Sequence, residues 1–184
     1  MKTRNITPNS LNPTKRLIIK LIARTYIKAP FNSKPLIKYI VTKYNLTEKY
    51  GEKIIQHIDG VFLRQYCELH KKIEPTLLPS IKGALTGAAR LGAKSSLLRV
   101  ISACTAEDNI SVYVRRVTTP QGQSTLVTVE VILPGSEIYC LCETEDEEVL
   151  RKLIELKGKT IIIGGWRNIG FGQAEIVEIR PITT

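Results

Sequence analysis

The chain has 184 residues, enough for one domain with a buried core, and carries a formal net charge of +10 from 27 basic and 17 acidic residues. A surplus of that size points to a polyanionic partner, nucleic acid first and an anionic membrane surface second, because clustered Lys and Arg displace the counterions condensed on phosphates. A basic surface without such a partner is the alternative. No apolar run reaches the length of about 18 residues that crosses a bilayer, and residues 1–16 lack the apolar stretch of a secretory signal. The N-terminal segment, 1–14, reads as a flexible basic arm, and the expected compartment is the cytoplasm. Cys67, Cys104, Cys140 and Cys142 show neither C-x-x-C spacing nor a neighbouring His pair, so neither a zinc site nor a disulfide framework is expected. Cys140 and Cys142 fit one face of a strand as small apolar residues.

Residues 16–28 read as a strand with Leu17, Ile19, Leu21, Ala23 and Ile27 on one face. The other face carries Lys20, Arg24, Tyr26 and Lys28, the cations and aromatic that a single-stranded RNA platform uses for phosphates and base stacking. A solvated sheet face reads the same way. Pro35 suits a first helical turn, and two short helices follow over about 34–58, the second capped by Thr47. They form an insertion after the first strand, and a tight turn between them is also compatible with a helix-turn-helix. Asp59-Gly60 is a turn pair. Residues 80–99 read as a helix with Ile81, Leu85, Ala88 and Ala89 on one side, weakened at Gly83, Gly87 and Gly92 by about 1 kcal/mol each relative to Ala.

Strands are expected over 111–117 and 125–133, joined by a turn-rich 118–122, and another over 137–143. Thr144 and Glu147 have the spacing of a capping box for a helix whose buried side is Val149, Leu150, Leu153, Ile154 and Leu156. A strand over 159–163 leads into a loop containing Gly164, Gly165, Gly170 and Gly172 with Arg167 at its centre, and a last strand runs over 174–179. Glycines let backbone N–H groups approach phosphates, Arg167 offers a planar fork, and Trp166 or Phe171 can stack on bases. A tight structural connection would use the same residues. The spacing is neither a Walker loop nor a dinucleotide fingerprint. The element order gives an α+β class with a ferredoxin-like, RRM-like core.

Three segments carry a family resemblance. The run from Ile161 to Gly172 looks like the C-terminal glycine-rich motif of the repeat-associated (RAMP) superfamily of CRISPR proteins. Leu78-Pro79-Ser80-Ile81-Lys82-Gly83-Ala84-Leu85 is similar to the "IPGSSLKG" motif of type III backbone subunits, one residue shorter before the Lys, and the run from Val131 to Ile138 resembles the family's strand–"PPGT"–strand connection. The resemblance covers about residues 15–179 and implies a single RAMP domain over 15–184. It implies a subunit of a type III effector complex whose partners are CRISPR guide RNA, complementary target RNA and other RAMP subunits, with no membrane. Carried over residue by residue, it nominates Lys82, Arg90, Gly164, Gly165, Arg167, Gly170 and Gly172 for guide contacts. It also nominates a short thumb hairpin at about 115–125, preceded by Arg115 or Arg116.

The run from His57 to Arg64 resembles the loop of target-cleaving subunits, which makes Asp59 the matching catalytic residue. The activity implied is metal-dependent endoribonuclease cleavage of target RNA, with Mg2+ or Mn2+ at Asp59. Two helices stand where the family has a glycine-rich segment, and Arg64-Gln65 replaces a basic–acidic pair, so Asp59 also fits a plain Asp-Gly turn. His57 and His70 lie away from the first strand, where related guide-maturing nucleases place a His general base, and read as loop or core residues. The competing functions are a binding-only subunit that caps the filament and a helix-turn-helix DNA binder built on 34–58.

Overall fold

The computed structural model describes residues 13–30, 59–78 and 80–182. Most of the basic arm, the helices expected over 34–58 with His57, and Pro79 lie outside the described residues. The strands are β1 (Lys15–Ala23), β2 (Ile27–Lys28), β3 (Leu63–Cys67), β4 (Lys72–Thr76), β5 (Arg99–Cys104), β6 (Ile110–Thr118), β7 (Ser124–Ile132), β8 (Glu137–Thr144), β9 (Thr160–Ile162) and β10 (Gln173–Ile182). The helices are α1 (Ser80–Ala88) and α2 (Glu147–Ile154). A seven-stranded sheet has the order β3-β4-β5-β8-β1-β10-β9, and a three-stranded sheet the order β2-β7-β6. The class is α+β, as expected, and no helix among the described residues is long and apolar enough to cross a membrane.

β1 is the central strand, paired antiparallel with β8 on one edge and β10 on the other. Its alternation is the one read from the sequence: Leu17, Ile19, Leu21 and Ala23 are buried with Ile27 beneath the helices, in one core with Ile81 and Leu85 of α1 and Val149 and Leu153 of α2. Cys140 and Cys142 of β8 join that core as small apolar residues, and their mutual hydrogen bond, together with burial, pushes the Cys140 thiol up.

The expected single strand over 16–28 is broken. At Arg24 the backbone N–H turns to the Gln173 carbonyl (2.8 Å), and the Ala23 N–H goes to Ser136 (2.9 Å). Ile27 and Lys28 then pair with Ile132 and Val131 of β7. The chain thus leaves the large sheet and enters the small one within three residues.

The helix expected over 80–99 ends at Ala88, because Arg90 (φ 51°) and Gly92 (φ 54°) take left-handed backbone conformations and residues 92–97 tighten into 3-10 turns. Ala88, expected on the buried side, is exposed. The capping box is also displaced. β8 extends through Thr144, which pairs with Lys15, so the helix starts later and Asp146 caps it by accepting the Val149 N–H at 2.9 Å. That bond, helped by Lys94, holds the Asp146 carboxyl below its usual range. Contrary to expectation, Cys67 and Cys104, 37 residues apart in sequence, form a disulfide between β3 and β5, their Cα atoms 6.0 Å apart.

Two glycines in this frame should respond oppositely to the same substitution. Gly172 has φ 93° and a Cβ there would sit 2.4 Å from the Ile163 carbonyl oxygen, whereas Gly83 lies within α1 with nothing within 4 Å. In urea melts Gly172→Ala should lose about 1–3 kcal/mol, and Gly83→Ala should gain up to about 1 kcal/mol.

Candidate nucleic-acid interface

The glycine-rich loop spans the gap between β9 and β10. Its ends are closed by the Ile163 N–H donating to the Gly172 carbonyl (2.8 Å), and the Gly172 N–H donates to the carbonyl of Tyr26 (2.8 Å). Trp166 adopts φ 61°, and residues 167–169 form one 3-10 turn. This conformation turns the loop's apolar side chains onto the β6–β7 hairpin. Phe171 is buried with Val129 and Val131, and Tyr26, Tyr113, Val127, Trp166 and Ile169 pack around them. The rings of Tyr26, Tyr113, Trp166 and Phe171 lie with centroids 5.2–6.2 Å apart in tilted or edge-on arrangements. Phe171 is therefore enclosed and holds the loop to the hairpin. It is not a ring open to a base, as the sequence reading had it.

Cations collect around Trp166. The Lys28 Nζ lies 5.2 Å from its ring centre and the Arg115 guanidinium 5.6 Å. Arg167 is exposed on the same loop, its Nε donating to the Gly164 carbonyl at 3.2 Å. Lys28 is only 4% exposed; its Nζ donates to the Ala29 carbonyl at 2.6 Å, and burial lowers its pKa to about 8. Lys28 also lines a crevice with Ser80, at the start of α1, and Ile163, where the glycine loop begins. The N-terminal turn of α1, whose N–H groups suit a phosphate, thus stands beside the loop, with Lys82 half-buried in that turn. Gly164 and Gly165 press against Lys28, since a Cβ at either would approach its carbonyl oxygen (3.1 Å) or its Cε (3.3 Å). Gly170 faces open space.

The remaining nominated residues are dispersed. Arg116 points to the opposite face of the hairpin from Arg115 and is exposed. Lys20 pairs with Glu137 at 2.5 Å, Arg24 pairs with Glu175, and Tyr26 belongs to the aromatic cluster. The first strand does not present these four residues as one platform. Arg90 is exposed beyond the end of α1. The hairpin that includes the thumb segment 115–125 pairs continuously from Ile110↔Ile132 to Thr118↔Ser124, matching the strands expected over 111–117 and 125–133 to within a residue.

Asp59 sits on that hairpin. Its N–H donates to the Thr128 carbonyl (2.7 Å), and its Oδ2 accepts the Thr128 N–H (2.6 Å). Gly60 follows, where a Cβ would lie 2.6 Å from the Pro30 carbonyl oxygen, and its own carbonyl accepts the Glu130 N–H. Arg64 then clamps the segment. It donates to Glu130 (2.6 and 2.9 Å) and Glu107 (2.6 Å), while Glu130 Oε2 accepts the Phe62 N–H (2.8 Å). Burial works against the Arg64 charge, but the two carboxylates outweigh it and raise its pKa. This clamp was not foreseen from sequence, since Glu130 is one acidic residue in an alternating strand. Arg64 is where the basic–acidic pair of the resemblance was missing, and its acidic partners come from elsewhere in the chain.

No family model matches the sequence, and no curated protein does. Among solved structures, a chain of the cryo-EM structure of the Type III-B Cmr-beta bound to cognate target RNA superposes with a TM-score of 0.57 at 14% identity, over 92% of this chain. This chain spans 61% of that one's length. A chain of the Type III-B Cmr-beta in its apo state gives 0.56 at 11% identity, covering 94% of this chain and 98% of its own. At such identities the likeness is one of fold: this chain folds like chains of the Type III-B Cmr-beta complexes, in keeping with the RAMP resemblance of its motifs.

Proposed function

We propose that the chain is an RNA-binding subunit of a type III CRISPR effector complex, with guide RNA bound across the glycine loop, the start of α1 and the base of the hairpin. The observation that carries this reading is the assembly of Lys28, Arg115 and Arg167 around Trp166 and the glycine loop, within a fold shared with Cmr-beta chains. The three motifs support it, and so does the sheet. We read β10-β1-β8-β5, with α1 following β1 and α2 following β8 along the chain, as a ferredoxin-like core. The net charge of +10 suits a polyanion.

Target cleavage is the second part of the proposal, and the position of Asp59 favours it over a binding-only cap. Its carboxylate is exposed at the hairpin, oriented through Oδ2, and Oδ1 has no partner among the described residues. A carboxylate so held fits one ligand position of Mg2+ or Mn2+, which binds through one or two carboxylates plus phosphate oxygens. When bound, such an ion stabilises charge on a scissile phosphate. Asp59 itself supplies the fixed carboxylate, with the Thr128 N–H setting its direction.

Affinity for single-stranded RNA, titrated against salt and pH, tests the interface. Arg167→Ala should reduce the salt slope by about 0.7. Lys28, with its pKa lowered to about 8, keeps its proton below that pH and loses it above, whereas an ordinary Lys stays charged to about 10. RNA at the crevice favours the ammonium, so affinity should fall about tenfold as pH rises through 8 toward 9.5, matching one charged hydrogen bond of about 1.5 kcal/mol. Lys28→Arg should remove that fall. A flat pH profile in the wild type would place the RNA elsewhere.

For cleavage, Asp59→Asn keeps an oxygen for the Thr128 N–H and removes the charge. In the assembled complex, cuts in complementary RNA that depend on this subunit should vanish, a loss of several kcal/mol at the barrier, with target binding unchanged because base pairing holds the target. Cleavage as fast as the wild type would make Asp59 a turn residue.

A further inference from the structure

On the sheet face away from the helices, Cys67, His70, Glu74 and Cys104 come together. Their ligand atoms (one each from the sulfurs, the imidazole and the carboxylate) all lie within 4.8 Å of one another. Three strands and one turn supply them. Cys67 ends β3, Glu74 lies in β4, and Cys104 ends β5 beside Thr76 of β4. The turn over 68–71 returns His70 to the same face. It is fixed by the Lys71 N–H donating to the Cys67 carbonyl (2.8 Å) and the Glu68 N–H to the Ser102 hydroxyl (3.3 Å). His70 Nδ1 is 2.5 Å from Glu74 Oε2, and its ring stands edge-on to Tyr139.

A disulfide alone leaves Glu74 unexplained. Glu74 is 1% exposed, and its Oε1 is buried and accepts no hydrogen bond. The cation near that oxygen is Lys72 Nζ, 3.0 Å away, on a side chain that is itself 63% exposed. A buried carboxylate needs fuller compensation than that, because an unsatisfied charged acceptor keeps its desolvation cost. Two thiols, an imidazole and a carboxylate converging on one point are a donor set that zinc takes, at about 2.0–2.3 Å from each ligand.

We propose that Cys67, His70, Glu74 and Cys104 form a structural zinc site whenever the two cysteines are thiols, tying the β3–β4 hairpin to β5. The 6.0 Å between the Cα atoms of Cys67 and Cys104 lets both sulfurs reach one ion without changing the strand pairing. Two thiol protons pass to solvent as the thiolates bind. Two thiolates and one carboxylate against a divalent ion leave one negative charge, which Lys72 offsets. Four protein ligands close the coordination shell, so the site has no open position for substrate. The proposal is independent of the RNA interface.

The test uses the full chain, reduced and purified without chelator, with its thiols counted by alkylation and mass spectrometry. Metal analysis should give one zinc per chain. Replacement by cobalt(II) should give thiolate-to-cobalt charge transfer and the visible bands of a tetrahedral ion. Glu74→Gln, which keeps the size of the side chain, should weaken zinc binding by about tenfold or more, and Cys67→Ser should abolish the charge-transfer band expected of the paired thiolates or shift it to that of a single thiolate. A chain with all four thiols free that takes up neither metal overturns the proposal. So does a Cys67–Cys104 bond that resists reduction in the folded chain, or zinc uptake indifferent to both substitutions.

Discussion

The packing of the glycine loop onto the β6–β7 hairpin is the contact on which the candidate interface depends. Trp166, Ile169 and Phe171 come from the loop, Tyr113, Val127, Val129 and Val131 from the hairpin, and Tyr26 from the segment that crosses between the sheets. Without this small apolar cluster, the loop would be a connection between β9 and β10, and the hairpin would be joined to the body chiefly through β2 and the Arg64 clamp. With it, Lys28 and Arg115 are held around one indole ring, and Arg167 lies exposed on the same loop. Phe171 is enclosed in this cluster, whereas Tyr26, Tyr113 and Trp166 stay half-buried.

The second constraint is the break in the first strand. Had β1 run straight to Lys28, Tyr26 and Lys28 would lie on the outer face of the large sheet with Lys20. The turn at Arg24–Tyr26, anchored by the carbonyls of Ser136 and Gln173, sends them to β7 instead. That diversion buries Lys28, and burial lowers its pKa to about 8. It also brings the Pro30 carbonyl against Gly60, so the segment carrying Asp59 is seated on the chain that delivers Lys28.

Local patterns in the sequence were legible where a single segment determines its own state. The alternation of Leu17 to Ala23 and the hairpin strands follow from side-chain period alone, as do the buried Val149, Leu153 and Leu156, whereas Ile154, expected on the same side, is 46% exposed. Features decided by distant residues were not. The strand break depends on Gln173, almost 150 residues on; the cap moved from Thr144 to Asp146 because Lys15 keeps Thr144 in the sheet. The Cys67–Cys104 pairing joins different strands and leaves no spacing signature. For the interface, the glycine loop and Asp59 stood out as motifs, whereas Tyr113, Glu130 and the inward turn of Phe171 required the hairpin's position. Lys20 and Arg24 looked like platform residues because their acidic partners, Glu137 and Glu175, are invisible from β1 itself.

The proposal that this surface holds guide RNA turns on which RNA, if any, the chain retains. The fold likeness and the cation cluster are both compatible with many single-stranded ligands, but a guide subunit should select one population. Sequencing the RNA that remains bound to the chain after purification from its native host is the most direct measurement. The account predicts small RNAs of discrete length sharing a constant repeat-derived end. A heterogeneous mixture reflecting cellular abundance, or no RNA, would contradict it.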